Sequence, residues 1–316
     1  MMNHHIRSVA LAVGLALTHG LAASEATRGG PVSDDEDTAR VKYRHAVVQD
    51  IRIFYREAGT PGKPVLLLLH GFPSSSHMYR ELMPLLARDF HLIAPDYPGA
   101  GFSDYPSAEK FTPTFARLAE VMAAFVEQLG LSSFVIYMQD FGGPVGFRMA
   151  RQHPERVRGL VIQNANAYLE GIAADQLKGI MAPQRSQAEQ LVTREFTLFQ
   201  YKTGARQADA MDPTSWSLDA WILENPDVRR IQTELMLDYR SNVAEYPQWQ
   251  AYLRQAQPKT LILWGRNDPI FLPSGAQAYL RALPDARLRF FDAGHFALEE
   301  EAPAIASEIR KAFAAR

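Results

Sequence analysis

Two hydrophobic rhythms alternate along the chain. Residues 65–69 (VLLLL) are an unbroken aliphatic run ending at His70-Gly71, the pattern of a strand covered on both faces. Similar short runs at 92–95, 134–138, 157–162, 260–264 and 288–291 each predict a buried strand. Ahead of them, 41–48 and 51–56 read as two strands joined by a tight turn at Gln49-Asp50. Between strands the period becomes helical. Residues 115–129 line up Leu118, Val121, Met122, Phe125, Val126 and Leu129 on one face, and Gly130 stops the run. Helices are also predicted over 77–88, 142–151, 275–283 and 305–313.

Strands and helices alternating at this spacing predict an α/β fold, a mostly parallel central sheet flanked by helices. The rhythm breaks over 167–258, which is helical in character and rich in aromatics, including Trp216, Trp221, Tyr239, Tyr246 and Trp249. That stretch is far too long for a loop. It predicts a helical cap inserted after the strand at 157–162, with the three tryptophans in the cap core. The sheet core then comprises 41–166 and 259–316.

The N-terminus carries a different signal. His4, His5 and Arg7 precede an apolar run over 9–17, followed by the small residues Ala22, Ala23 and Ser24. A basic start, a short apolar segment and an A-x-A-like exit predict a signal peptide over 1–24, hence export to the periplasm or beyond. The run falls short of the roughly 20 apolar residues that cross a bilayer, so no integral membrane span is expected. Residues 25–40 are polar and acidic and read as a flexible lead-in.

Composition narrows the function classes. Hydrophobic residues make up 47% and charged residues 22% of the 316, as in ordinary folded domains. Net charge is −2 with no basic run beyond the N-terminus, which argues against nucleic-acid binding. Cysteine is absent, excluding disulfides, thiol catalysis and Cys-ligated metal. There is no His-Glu-x-x-His, and Gly99-Ala100-Gly101 lacks the rest of a dinucleotide fingerprint. No metal or cofactor is expected.

Three post-strand segments carry candidate chemistry. Tyr137-Met138-Gln139-Asp140-Phe141-Gly142-Gly143 runs from a buried strand through paired glycines into a helix. Such a sharp turn lifts its central side chain to the carboxyl end of the sheet and points the next N–H, that of Phe141, into the same space. An aspartate there is ionised at neutral pH and favoured by the helix dipole, although Asp is also a common helix cap. Asp268 follows the strand at 260–264 and His295 follows the last strand. A nucleophile, an acid and then a histidine, each after a strand, is the triad order of one fold.

The chain thereby resembles the α/β-hydrolase superfamily, in its epoxide hydrolase and haloalkane dehalogenase branch, from about Val41 to Phe313. His70-Gly71-Phe72-Pro73 matches the family's oxyanion loop, Asp96 to Asp104 its Asp-x-x-Gly-x-Gly-x-Ser-Asp turn, and Asp140, Asp268 and His295 its triad. His153-Pro154-Glu155-Arg156-Val157 is also typical, in a structural place. His70 and His77 read as loop-ordering residues. Three positions depart from the pattern. Met138 stands where a small residue is usual and should crowd the turn. Phe141 replaces the Trp with which dehalogenases hold the leaving halide. Phe141 and Pro144 stand where fluoroacetate dehalogenases carry Arg, which argues against fluoroacetate as substrate.

The resemblance implies a mechanism. A carboxylate displaces a leaving group from saturated carbon, forming an ester on Asp140 that water activated by His295, oriented by Asp268, then hydrolyses. The backbone N–H groups of Phe72 and Phe141 would form the oxyanion hole. The substrate is then a small apolar electrophile, an epoxide or an alkyl halide. Opening an epoxide leaves an alkoxide that needs a proton donor, which cap tyrosines supply in epoxide hydrolases. Residues 237–242 (LDYRSN) resemble the cap segment bearing one of these, making Tyr239 the candidate donor; Tyr201 is the nearest candidate for the second. Epoxide hydrolysis is the leading expectation and dehalogenation the alternative. A non-catalytic ligand receptor is the alternative of another class.

Overall fold

The computed structural model describes residues 38–314, so the predicted leader and most of the lead-in lie outside the described residues. Among the described residues eight strands form one sheet: β1 (Lys42–Val48), β2 (Ile51–Ala58), β3 (Val65–Leu69), β4 (His91–Pro95), β5 (Phe134–Gln139), β6 (Val157–Gln163), β7 (Thr260–Gly265) and β8 (Arg287–Phe291). Their order is β1-β2-β4-β3-β5-β6-β7-β8. β2 is antiparallel to both its neighbours, and every other pairing is parallel. Gln49 and Asp50 close the first hairpin with φ of 49° and 63°, the left-handed pair that a two-residue type I′ turn requires.

Strand alternation divides the interior in two. Leu67 and Leu69 of β3, Ile136 and Met138 of β5, and Ile262 and Trp264 of β7 serve one core. Leu66, Leu68, Val135, Tyr137, Leu261 and Leu263 serve the other. The second core is covered by α1 (Leu82–Leu86) and, at the chain's end, by the helix Ala297–Phe313. The first is covered by α2 (Phe115–Gln128) and α3 (Gly142–Gln152), together with the inserted helices.

That insertion lies between β6 and β7 and holds α4 (Ala174–Met181), α5 (Arg185–Leu191), α6 (Arg194–Lys202), α7 (Pro213–Ile222) and α8 (Pro226–Ala256). α8 is 31 residues long, roughly 46 Å at 1.5 Å per residue. Asn225 caps it by accepting from the amides of Asp227 and Val228, Pro226 occupies its first turn, and Gln257 ends it at φ 44°. Polar bonds fasten α8 to the core. Asp238 accepts the Phe115 amide at 2.8 Å, supplying a cap to α2 from another element. Gln232 donates to the Gly99 carbonyl at 2.8 Å, and Arg148 and Arg151 bond Asn242 and Glu245 at 2.7 and 2.6 Å. α4, by contrast, buries no residue.

Several sequence expectations need correction. The helix predicted over 77–88 is a 3-10 turn at Ser76–Tyr79 followed by the short α1. Pro84 lacks the N–H that would tie the two into one ladder. The helix predicted over 275–283 is α9 (Pro273–Ala278), passing into a 3-10 turn at Tyr279–Arg281. The last helix, α10 (Ala297–Phe313), starts earlier than predicted and is kinked at Glu301, two residues before Pro303. Trp249 is fully buried in the cap and Trp216 half-buried, but Trp221 is 63% exposed, because α7 buries the neighbouring Ala220 and Ile222 instead.

Candidate active site

Loops leaving the carboxyl ends of β3, β5, β7 and β8 converge above the sheet, where ligands bind in parallel α/β proteins. Asp140 sits at the β5–α3 turn with φ 48°, a left-handed conformation held by close packing around it. A Cβ on Gly142 would lie 2.2 Å from the Leu69 carbonyl, so only glycine lets α3 start this near β3. Met138, expected to crowd the turn, is accommodated by Gly146. A Cβ there would lie 3.0 Å from the Met138 methyl.

Asp140 does not cap α3, whose N-cap position is Phe141 and has no side-chain cap. Its carboxylate instead accepts the Phe72 amide at 2.7 Å and the Phe141 amide. The two N–H groups expected as oxyanion donors therefore already converge on the Asp140 carboxyl. His295 Nδ1 lies 2.9 Å from Asp268 Oδ2, and its Nε2 lies 3.7 Å from Asp140 Oδ2. Asp268 is itself fixed: Oδ1 accepts the amides of Ile270 and Phe271 at 2.7 and 3.1 Å, and Oδ2 accepts Asn164 Nδ2 at 2.7 Å. The three residues predicted from separate segments thus form one buried chain.

Burial sets the electrostatics. It raises the Asp140 carboxyl above its ordinary range, opposed by His295 and by the Phe72 and Phe141 amides. Burial alone would depress His295, but the Asp268 carboxylate, aided by Asp140, outweighs it and leaves the imidazole pKa raised. His70 acts as predicted for a loop-ordering residue. Its Nδ1 faces the Gly71 carbonyl at 3.0 Å and its Nε2 accepts the Tyr97 amide at 3.2 Å, while burial keeps it neutral by lowering its pKa.

A cavity of about 430 Å³ opens over Asp140. Phe72, Phe141 and Phe271 surround the carboxylate, α8 contributes Met236 and Tyr239, and α6 contributes Phe196 and Gln200. Among the described residues no cationic side chain lines it, and Phe141 and Pro144 stand where the arginines would be. None of the tryptophans lines it either. Tyr239 packs edge-on against Phe115, with ring centroids 5.8 Å apart, and beside Phe141 at 6.1 Å. Among the described residues its buried hydroxyl makes no hydrogen bond of ordinary geometry, and burial pushes its pKa well up, aided by the nearby Tyr246 and Asp140.

Tyr201, the expected second donor, is elsewhere. Its hydroxyl donates to Asp219 Oδ2 at 2.6 Å, its ring stacks on Phe296 at 3.8 Å, and it does not line the cavity. Neighbouring residues on a helix point about 100° apart, so the cavity receives Gln200 rather than Tyr201. Two further site residues were not singled out in the sequence. Asn164, at φ 44°, accepts the Asp140 amide on its backbone carbonyl at 3.2 Å and the Gly265 amide on its side chain at 3.1 Å while donating to Asp268. The signal available was the polar string Gln163-Asn164-Ala165-Asn166 closing an aliphatic strand. Gln139, just before Asp140, places its Nε2 3.1 Å from His295 Nε2.

Comparison with known proteins is decisive for the family. A model of the alpha/beta hydrolase fold matches residues 64–302. The chain belongs to the α/β-hydrolase fold family. This hydrolase is 39% identical over 285 residues to an uncharacterized hydrolase of Saccharomyces cerevisiae, spanning 86% of this chain and 97% of that relative. It is 30% identical over 270 residues to haloalkane dehalogenase 2 of Mycobacterium tuberculosis, spanning 83% and 91%. The solved haloalkane dehalogenase DbeA from Bradyrhizobium elkani shares the fold at a TM-score of 0.73 and 22% identity, over 86% of this chain and 97% of that one. An enzyme, not a receptor, is the class these similarities carry.

Proposed function

We propose that this hydrolase opens epoxides through an ester on Asp140. An Asp140 oxygen attacks an epoxide carbon, the C–O bond of the ring breaks, and the departing oxygen takes the proton of Tyr239. Water then attacks the ester carbonyl carbon and gives a proton to His295 Nε2, while Asp268 steadies the imidazolium and the Phe72 and Phe141 amides hold the oxyanion. Collapse breaks the bond to the alkyl oxygen, which takes the proton from His295 and leaves as a diol. The Asp140 carboxyl, left holding the water's second proton, releases it to solvent and tyrosinate takes one back, which restores both groups.

The observation that carries this reading is the Tyr239 hydroxyl. Among the described residues it makes no hydrogen bond of ordinary geometry, Tyr246 being its nearest hydroxyl partner, and it belongs to a residue lining the same cavity as Asp140. The mostly apolar wall, without a cation among the described residues, fits a neutral substrate. Dehalogenation is the second reading, favoured by the relatives' activity, but the Phe141 side chain and the absence of lining tryptophan leave a halide no indole N–H. The test is a matched panel of neutral terminal epoxides and alkyl bromides, following diol and bromide. Diol formation with little bromide release supports the proposal; bromide release without diol replaces it with dehalogenation.

A further inference from the structure

Gln139 ends β5 fully buried, between the two ends of the candidate machinery. Because His295 Nδ1–H is committed to Asp268, the neutral ring has its lone pair at Nε2. The Gln139 amide donates into that lone pair at 3.1 Å, at the nitrogen that must take a proton from water. Asp140 Oδ2, an acceptor 3.7 Å away, makes no hydrogen bond to that nitrogen. The other end of the carboxamide is unused: Gln139 Oε1 is buried with no partner among the described residues. It also flanks the nucleophile, since a single point beside the Gly71 α-carbon lies 2.3 Å from Gln139 Oε1 and 2.8 Å from Asp140 Oδ1.

We propose that Gln139 is a positioning residue for the second half-reaction, holding His295 in its neutral form with Nε2 aimed at the ester and offering Oε1 to the attacking water. The inference rests on the ester reading above for its kinetic part alone. A buried acceptor with no partner among the described residues, near both the base and the Asp140 carboxyl, suits a water that displaces the Gln139 N–H from the Nε2 lone pair, gives one proton to His295 and points the other at Oε1. No covalent change occurs at Gln139.

The contact also sets when the base is ready. A hydrogen bond donated to a neutral imidazole nitrogen favours the neutral form and opposes the upward pull of a carboxylate. The charged groups facing His295 are Asp268 and Asp140, with the rings of Phe271 and Phe296 beside it. Once Asp140 is esterified its charge is gone. Asp268 and Gln139 are then the polar neighbours of the ring, pulling its titration in opposite directions.

Gln139→Met keeps length and volume while deleting both polar ends, and Gln139→Glu keeps the shape while replacing the donor with an acceptor. With a terminal epoxide, Gln139→Met should form the Asp140 adduct at the parent rate but hydrolyse it about tenfold or more slowly, as expected for a misplaced reactant. The acid limb of hydrolysis should move to higher pH. Independently of any substrate, the His295 ring titration followed by NMR should move to higher pH in both variants. Parent-rate hydrolysis with an unmoved limb would overturn the proposal, as would an equal fall in both half-reactions. If the parent forms no adduct with any epoxide or halide, the ester reading fails instead, and the NMR titration still decides whether Gln139 tunes His295.

Discussion

Tyr239→Phe separates chemistry from packing because, among the described residues, the hydroxyl has only its approach to Tyr246, and no hydrogen bond of ordinary geometry, to lose. The ring contacts with Phe115, Phe141 and Phe271, at centroid distances of 5.8, 6.1 and 6.3 Å, survive the substitution. Stability should therefore stay within about 0.5 kcal/mol of the parent, the range of changes that break no named interaction. The kinetic effect should be larger. A positioned acid contributes about 10²–10⁴-fold, or roughly 3–5 kcal/mol of barrier. Thermal unfolding measures the first quantity, and rapid quenching with intact-mass analysis of adduct formation measures the second. Ring opening should fall by at least about tenfold, while hydrolysis of the ester, once formed, should be little changed. Ring opening at the parent rate would refute the donor role. A parallel loss of stability and rate would refute it too, by making packing the cause.

Other expectations follow from the same groups. Because Asp268 and Asp140 together raise the His295 imidazole against the lowering effect of burial, its titration in the free enzyme, followed by NMR, should have a midpoint above the ordinary histidine value of about 6.5; a midpoint below that contradicts the electrostatics. Asp219, buried under Tyr201 and held up to about 7 by burial, binds its proton more tightly folded than unfolded. Its stabilising contribution is present at pH below about 4 and lost as pH rises through about 7, so Asp219→Asn should raise the melting temperature at pH 8 and not at pH 4; equal shifts at both would refute this. Export predicts that protein from its native host begins some twenty residues after Met1, as terminal sequencing would read; intact Met1 in a soluble cytoplasmic pool would contradict it.

The sheet was legible because its strands are buried on both faces and leave continuous aliphatic runs, as at 65–69 and 134–138. The triad segments were legible for a related reason: each acid or histidine follows such a run within a few residues. What the sequence concealed depends on rotation and local competition. Tyr201 and Gln200 differ by one helical step, and only tertiary packing decides which of them meets the cavity. Pro84 and Pro303 reshape helices whose apolar periodicity continues across them. Asn164 and Gln139 look like ordinary polar strand ends until the fold brings Asp268 and His295 against them.

The central claim is that Asp140 becomes an ester which His295 resolves, and intact-mass spectrometry of His295→Gln with an epoxide tests it most directly. The variant should gain the mass of one substrate and stall, peptide mapping should put that mass on Asp140, and Asp140→Asn should show no initial adduct. Mass gained on another residue, or full turnover by Asp140→Asn, would contradict the account.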